Sequence, residues 1–98
     1  MFTEDELKLL YTCMESFRDY TKQSQKDFSR KINVTYKKLK PFKPGTLLIV
    51  TDFFIMTVSV RYVVGPYPDR EGQKELCQLL DKTYRLLKSC PLAGGVET

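Results

Sequence analysis

The sequence predicts an α+β domain in which helices pack on one face of a small antiparallel sheet, in the order helix, helix, β-hairpin, helix. Apolar residues recur at helical spacing near both ends of the chain, and the segment from Thr46 to Val64 is dominated by β-branched residues. The 98-residue length suits one domain with its own core. We therefore expect a single α+β domain over residues 1–90, followed by a flexible C-terminal tail over residues 91–98.

The first helix is predicted from Glu4 to about Lys22. Thr3 and Glu6 have the spacing of a capping box, in which each side chain bonds the other residue's backbone N–H. Phe2 and Leu7 occupy the two positions of a hydrophobic staple. Together these signals indicate a helix that begins at a well-defined residue.

The second helix is predicted after Ser24, which offers a weaker cap. Its apolar stripe is Phe28, Ile32, Tyr36 and Leu39, at spacings of four, four and three residues. The helix should end before Pro41, because the residue before a proline is pushed out of the helical region.

The hairpin is predicted from a change of period. Ten of the nineteen residues between Thr46 and Val64 are Val, Ile or Thr. A short strand over Thr46–Val50 and a longer one up to Val64 would pair around Thr51 and Asp52. One face of the longer strand would be core and the other, with Phe53 and Arg61, would be mixed. Its unpaired edge would invite a strand from a partner or from a second copy, which makes a homodimer consistent with the fold.

The last helix is predicted after Asp69, a suitable cap, and should stop at Cys90-Pro91. Leucines 76, 79, 80 and 87 supply most of its apolar face. No internal repeat or linker indicates a second domain.

The positive charge is concentrated in one segment. Between Thr21 and Gly45 there are eight Lys or Arg and a single acid, Asp27, although the whole chain carries only +4. Three interpretations are open: a solvated helix face, a surface for an acidic protein partner, or a surface for nucleic acid or an anionic membrane. After the second helix, two prolines would hold Phe42 out between Lys40 and Lys43, where we expect any contact to concentrate.

The residue types argue against catalysis. The chain has no histidine, and its cysteines (13, 77 and 90) form no CxxC pair, so we expect no enzyme activity, no metal site and no cofactor. Cys77, near the start of the last helix, is more simply a small side chain at the core edge than an activated thiol. The acidic start lacks the features of a signal peptide, and the apolar runs are too short to cross a membrane. A cytoplasmic or nuclear protein with reduced thiols is therefore expected.

These observations favour a small non-enzymatic protein-interaction module, in the style of regulatory or inhibitor proteins (including phage- or virus-encoded ones) or small subunits of complexes. It would bind a protein partner, an acidic one being among the alternatives, through the strand edge and the basic surface. The alternative is a nucleic-acid-binding protein that uses the basic segment from Lys22 to Lys43. The candidate partner-binding residues are Arg30, Lys37, Lys38, Lys40, Phe42, Lys43, Phe53 and Arg61.

Overall fold

The computed structural model describes residues 2–65 and 73–89, and these residues form helices with no strand among them. The helices are α1 (Glu4–Thr21), α2 (Lys26–Leu39), α3 (Val50–Val64) and α4 (Lys74–Ser89). The predicted α+β class is therefore wrong, and so is the sheet edge that would have invited a partner strand or a second copy. The predicted cap at Asp69, the stop at Cys90-Pro91 and the C-terminal tail lie outside the described residues.

Helix α1 confirms its predicted start. The Glu6 N–H donates to Thr3 Oγ1 at 3.1 Å, and the Thr3 N–H donates to Glu6 Oε1 at 2.9 Å, so both halves of the capping box are present. Phe2 and Leu7, the staple residues, are both buried. Local sequence chemistry thus fixes where α1 begins.

Glu6 also links α1 to α4. Lys82 of α4 donates to Glu6 Oε1 at 2.8 Å. Although burial raises the pKa of Glu6, the hydrogen bonds from Lys82 and Thr3 lower it overall, below the ordinary value of 4.5. The ionised carboxylate therefore contributes to stability above that value, and the contribution is lost as the pH falls through the lowered pKa.

We accordingly expect Glu6→Gln to lower the free energy of unfolding by about 1 kcal/mol at neutral pH and to have less effect under acid conditions. Urea unfolding of both proteins at about pH 6 and about pH 3 measures this. An equal difference between the two proteins at both pH values would show that the charge of Glu6 contributes nothing.

Helix α2 contains residues that form helices poorly, and the structure gives two of them tertiary partners. Asn33 accepts a hydrogen bond from Arg18 of α1, and Thr35 donates one to Asp52 of α3. The N-cap residue of α2 is Gln25, whose side chain makes no capping hydrogen bond, so Ser24 does not serve as the predicted cap. Packing, rather than local propensity, stabilises this helix.

Helix α3 replaces the predicted longer strand, and residues 46–49 are not a strand either. Asp52 caps it by accepting the Ile49 N–H at 2.9 Å. The hydroxyls of Thr57 and Ser59 each donate to the carbonyl four residues earlier at 2.7 Å, which satisfies them inside an apolar helix. The β-branched residues cost some helix propensity, but burial of Ile55, Met56 and Val60 offsets that cost.

The helices pack around α3, which contacts α1, α2 and α4. Helices α1 and α2 run antiparallel across a short connection, with residue 18 beside 33 and residue 11 beside 36. The core contains buried side chains from all four helices: Leu7, Leu10, Met14, Ile32, Leu39, Met56, Val60 and Leu79. This packing leaves the outer seam between α1 and α2 open to solvent.

Candidate functional site

A basic cleft lies between the end of α1 and the first half of α2. It has a volume of about 280 Å³ and is lined by Arg18, Lys22, Ser29, Arg30 and Asn33. Three cations thus come together with two side chains able to donate hydrogen bonds, Ser29 and Asn33. Such a set of side chains suits a carboxylate or a phosphate.

Arg18 is the ordered cation of the basic cleft. Its guanidinium lies over the ring of Tyr36, 4.3 Å from the centroid, and its Nη1 donates to Asn33 Oδ1 at 3.2 Å. Asp19 Oδ1 lies 3.7 Å from the Nε of Arg18, and the Arg18 side chain is only 26% exposed. These contacts orient the guanidinium before any ligand arrives, so binding would cost little ordering entropy.

Tyr36 belongs to an aromatic ladder of three rings, Phe42, Tyr11 and Tyr36. Tyr11 stacks on Tyr36 with centroids 3.9 Å apart, and Phe42 meets Tyr11 edge-on at 5.2 Å. The Tyr36 hydroxyl donates to Glu15 Oε2 at 3.1 Å. Burial, with the Tyr11 hydroxyl and the Glu15 carboxylate, raises the pKa of Tyr36. The ladder therefore gives Arg18 a fixed, neutral surface to lie on.

The other two cations of the basic cleft are more exposed and less closely held than Arg18. The Arg30 side chain is 81% exposed and lies 3.7 Å from Asp27, whose side chain is almost fully exposed. Such a pair is worth little in water and can open to accept another anion. Lys22, just beyond α1, is exposed as well.

Next to the cleft is a basic face, which we define as the exposed cations Lys22, Lys26, Arg30, Lys37, Lys40 and Lys43 of the segment around α2. Lys31 is exposed too, but it projects from another side of α2. Lys26, Arg30 and Lys37 fall on one side of α2, since helical positions four, seven and eleven residues apart share a face. The structure thus keeps most of the predicted basic surface on the outside.

The structure places four of the eight predicted partner-binding residues on this face: Arg30, Lys37, Lys40 and Lys43. Lys38 points elsewhere, because its Nζ donates to the buried carboxylate of Asp52 at 2.8 Å. Phe42 is not held out in solvent between the prolines but is half-buried against Tyr11.

The two residues predicted on a sheet face, Phe53 and Arg61, both lie on α3, and only one of them is exposed. Phe53 is 5% exposed and belongs to the core. Arg61 is exposed on α3, where its Nη1 donates to the Gly65 carbonyl at 2.6 Å. Neither residue is part of the basic cleft.

Arg18 and Asn33 are the functional candidates that sequence reasoning missed. Arg18 and Lys22 are four residues apart and so share a helix face, which is a usable signal. Asn33 gives no such signal, because its role depends on the packing of α1 against α2.

Among residues 2–65 and 73–89 there is no group of three or more His, Cys, Asp or Glu arranged to hold a metal ion. None of the helices in the same residues is long and apolar enough to cross a membrane. Burial raises the pKa of the Cys13 thiol to about 11, which keeps it protonated near neutral pH.

Comparison of the chain with protein-family models, curated proteins and solved structures found no match.

Proposed function

We propose that this protein is a non-enzymatic interaction module that binds an acidic segment of a protein partner in the basic cleft and along the basic face. The observation that supports this most directly is the orientation of Arg18 by Tyr36 and Asn33 beside two exposed cations, Lys22 and Arg30. A cation that is ordered in advance and directed into an open cleft is typical of a binding site rather than of a merely solvated helix.

Carboxylates suit the arrangement for geometric reasons. A guanidinium presents paired N–H donors that match the two oxygens of a carboxylate. Lys26 and Lys37 are eleven residues apart on α2, which corresponds to roughly 16 Å along the helix axis. An extended segment of about five or six residues covers this distance. One acid would occupy the cleft while further acids meet the lysines of the basic face.

The aromatic residues favour a protein partner over single-stranded nucleic acid. Base stacking needs exposed ring faces. In the basic segment the candidates were Tyr36 and Phe42, but Tyr36 is only 9% exposed and Phe42 packs against Tyr11. Nucleic acid is the second candidate, since the basic face could still contact phosphates without stacking.

The test uses a fluorescein-labelled peptide of about ten glutamates and the full chain, with binding followed by fluorescence anisotropy. We expect the triple variant Arg18→Glu, Lys22→Glu, Arg30→Glu to bind at least about 30-fold more weakly. Arg18→Lys keeps the charge but loses the paired donors, so we expect a weakening of roughly 3- to 10-fold.

The matched control reverses three exposed cations of α4, in the variant Lys74→Glu, Arg85→Glu, Lys88→Glu. Both triple variants have the same net charge, so the control should retain binding within about 3-fold. Equal losses in the two variants would mean that net charge alone attracts the peptide, and the proposed site would be wrong.

A labelled single-stranded DNA of about 20 nucleotides discriminates the second candidate. Binding that exceeds peptide binding at about 50 mM salt and disappears by about 200 mM would favour nucleic acid over an acidic protein.

A further inference from the structure

A second surface lies on the opposite pair of helices, in a groove between α3 and α4 with a volume of about 430 Å³. Its walls are Thr57, Val58 and Arg61 from α3 and Cys77, Leu80, Asp81 and Tyr84 from α4. We infer that this α3–α4 groove is the surface on which a second copy of the chain docks to form a two-fold dimer. The inference does not depend on the proposed function.

Helix α3 has apolar residues even on the side that no other helix of the described residues covers. Of its fifteen residues only Asp52 and Arg61 are charged, and Asp52 is buried. A helix that is apolar on every side is normally covered on every side. Here α1, α2 and α4 leave one side open, where Phe54 is 46% exposed and Val58, one turn later, is half-buried. Within residues 2–65 and 73–89, no helix covers that side of α3.

Helix α4 carries two apolar stripes. Leu79 and Thr83 are buried and face the core. A second stripe continues beside them at spacings of three, four and three residues: Cys77, Leu80, Tyr84 and Leu87. This is the spacing at which one helix packs along another. Cys77, Leu80 and Leu87 are partly buried against the core, whereas Tyr84 is 50% exposed, so the outer side of this stripe still offers apolar surface.

The charges at the groove favour a second copy over an unrelated helix. The α3 wall carries one cation, Arg61, and the α4 wall carries one anion, Asp81. A two-fold axis that brings two grooves face to face can place Arg61 of each copy against Asp81 of the other. The apolar stripe of α3 in one copy then meets the apolar stripe of α4 in the other copy, which gives a four-helix arrangement.

The contacts that these two charges make within the chain are weak enough to exchange. Asp81 pairs with Arg85 at 2.9 Å, but both side chains are more than half exposed, and such pairs contribute little. Arg61 donates to a carbonyl at the end of its own helix. Each group can therefore turn toward a partner without losing a buried contact.

The first test measures the mass of the full chain by light scattering and sedimentation, under reducing conditions, over a concentration series up to about 100 μM. We expect a concentration-dependent dimer. Leu80→Glu should raise the dissociation constant by roughly 100-fold or more, because it introduces an unpaired charge into the interface. Val34→Glu, at an exposed apolar position of α2, is the matched control and should dimerise with the same dissociation constant as the wild-type chain. Circular dichroism confirms that both variants are folded.

The second test separates a contact between copies from one within a chain. Arg61→Asp alone and Asp81→Arg alone should each weaken the dimer, because like charges then face each other. An equimolar mixture of the two variants should associate again, since every cross-copy pair in the mixed dimer has opposite charges. A role confined to one chain gives no such recovery on mixing.

Two results would overturn the inference. One is a wild-type chain that stays monomeric throughout the concentration series. The other is a monomer whose binding to the glutamate peptide is lost in Leu80→Glu, which would assign the groove to that partner. Loss of peptide binding in the basic-cleft variant with the dimer intact would bear only on the proposed function, so the two failures are distinguishable.

Discussion

Asp52→Ala is expected to lower the free energy of unfolding by about 3 kcal/mol. The carboxylate is 2% exposed and accepts hydrogen bonds from Thr35 Oγ1 at 2.6 Å, Lys38 Nζ at 2.8 Å and the Ile49 N–H at 2.9 Å. Its removal takes away the acceptor for a buried hydroxyl and the cap of α3. The Lys38 side chain is 35% exposed and can turn to water, which keeps the loss at the low end of the range for broken buried pairs.

Urea unfolding at neutral pH measures this loss, with Asp52→Asn and Lys43→Ala as comparisons. The amide keeps one acceptor oxygen and the shape of the side chain, so we expect Asp52→Asn to lower the free energy of unfolding by less than Asp52→Ala does. Lys43 is exposed, and its truncation should change the free energy of unfolding by less than about 0.5 kcal/mol. If Asp52→Ala were as mild as Lys43→Ala, the hydrogen-bond network around Asp52 would not hold α2 against α3.

Asp52 also shows why the hairpin prediction failed. As a sequence feature, Thr51-Asp52 resembles a turn between two strands. In the structure the same carboxylate accepts the N–H of Ile49, three residues earlier, and so caps α3. It also accepts a hydrogen bond from Thr35 of α2. The first contact is local, but the second joins residues 17 positions apart. A turn signal and a helix-start signal use the same residue types, and only the tertiary contact separates them.

The period of α3 could not decide between strand and helix. Ten of the fifteen positions from Val50 to Val64 are apolar, and they fall on every side of a helix, so an alternating pattern and a helical pattern fit almost equally well. Length was the better signal: no Gly or Pro interrupts the 19 residues between Gly45 and Gly65, whereas strands usually run about 5–6 residues. By contrast, α1 was predictable because its start depends on residues three and five positions apart.

The candidate site, too, could be predicted from the sequence only in part. Clustering of cations in the sequence was enough to predict a basic surface, and the structure keeps Arg30, Lys37, Lys40 and Lys43 exposed. The basic cleft itself needs Arg18 and Tyr36, which are eighteen positions apart and meet because α1 and α2 are antiparallel. No local sequence pattern could have predicted that Arg18 and Tyr36 are in contact.

Tyr36 gives the sharpest test of whether the aromatic ladder positions Arg18. Tyr36→Ala should lower the free energy of unfolding by about 3–4 kcal/mol, because it removes a ring that is only 9% exposed. It should also weaken glutamate-peptide binding by roughly 10-fold, since the guanidinium of Arg18 loses the face on which it lies. Urea unfolding and anisotropy titration measure the two effects separately.

Two substitutions at the same position separate ring, volume and hydroxyl. Tyr36→Phe keeps the ring but loses the 3.1 Å hydrogen bond to Glu15, so we expect a loss of about 1 kcal/mol and nearly unchanged binding. Tyr36→Leu fills much of the space without an aromatic face, so it should be more stable than the alanine variant yet bind as weakly. If Tyr36→Leu bound the peptide as well as Tyr36→Phe, the ring would not position Arg18 and its role would be packing alone.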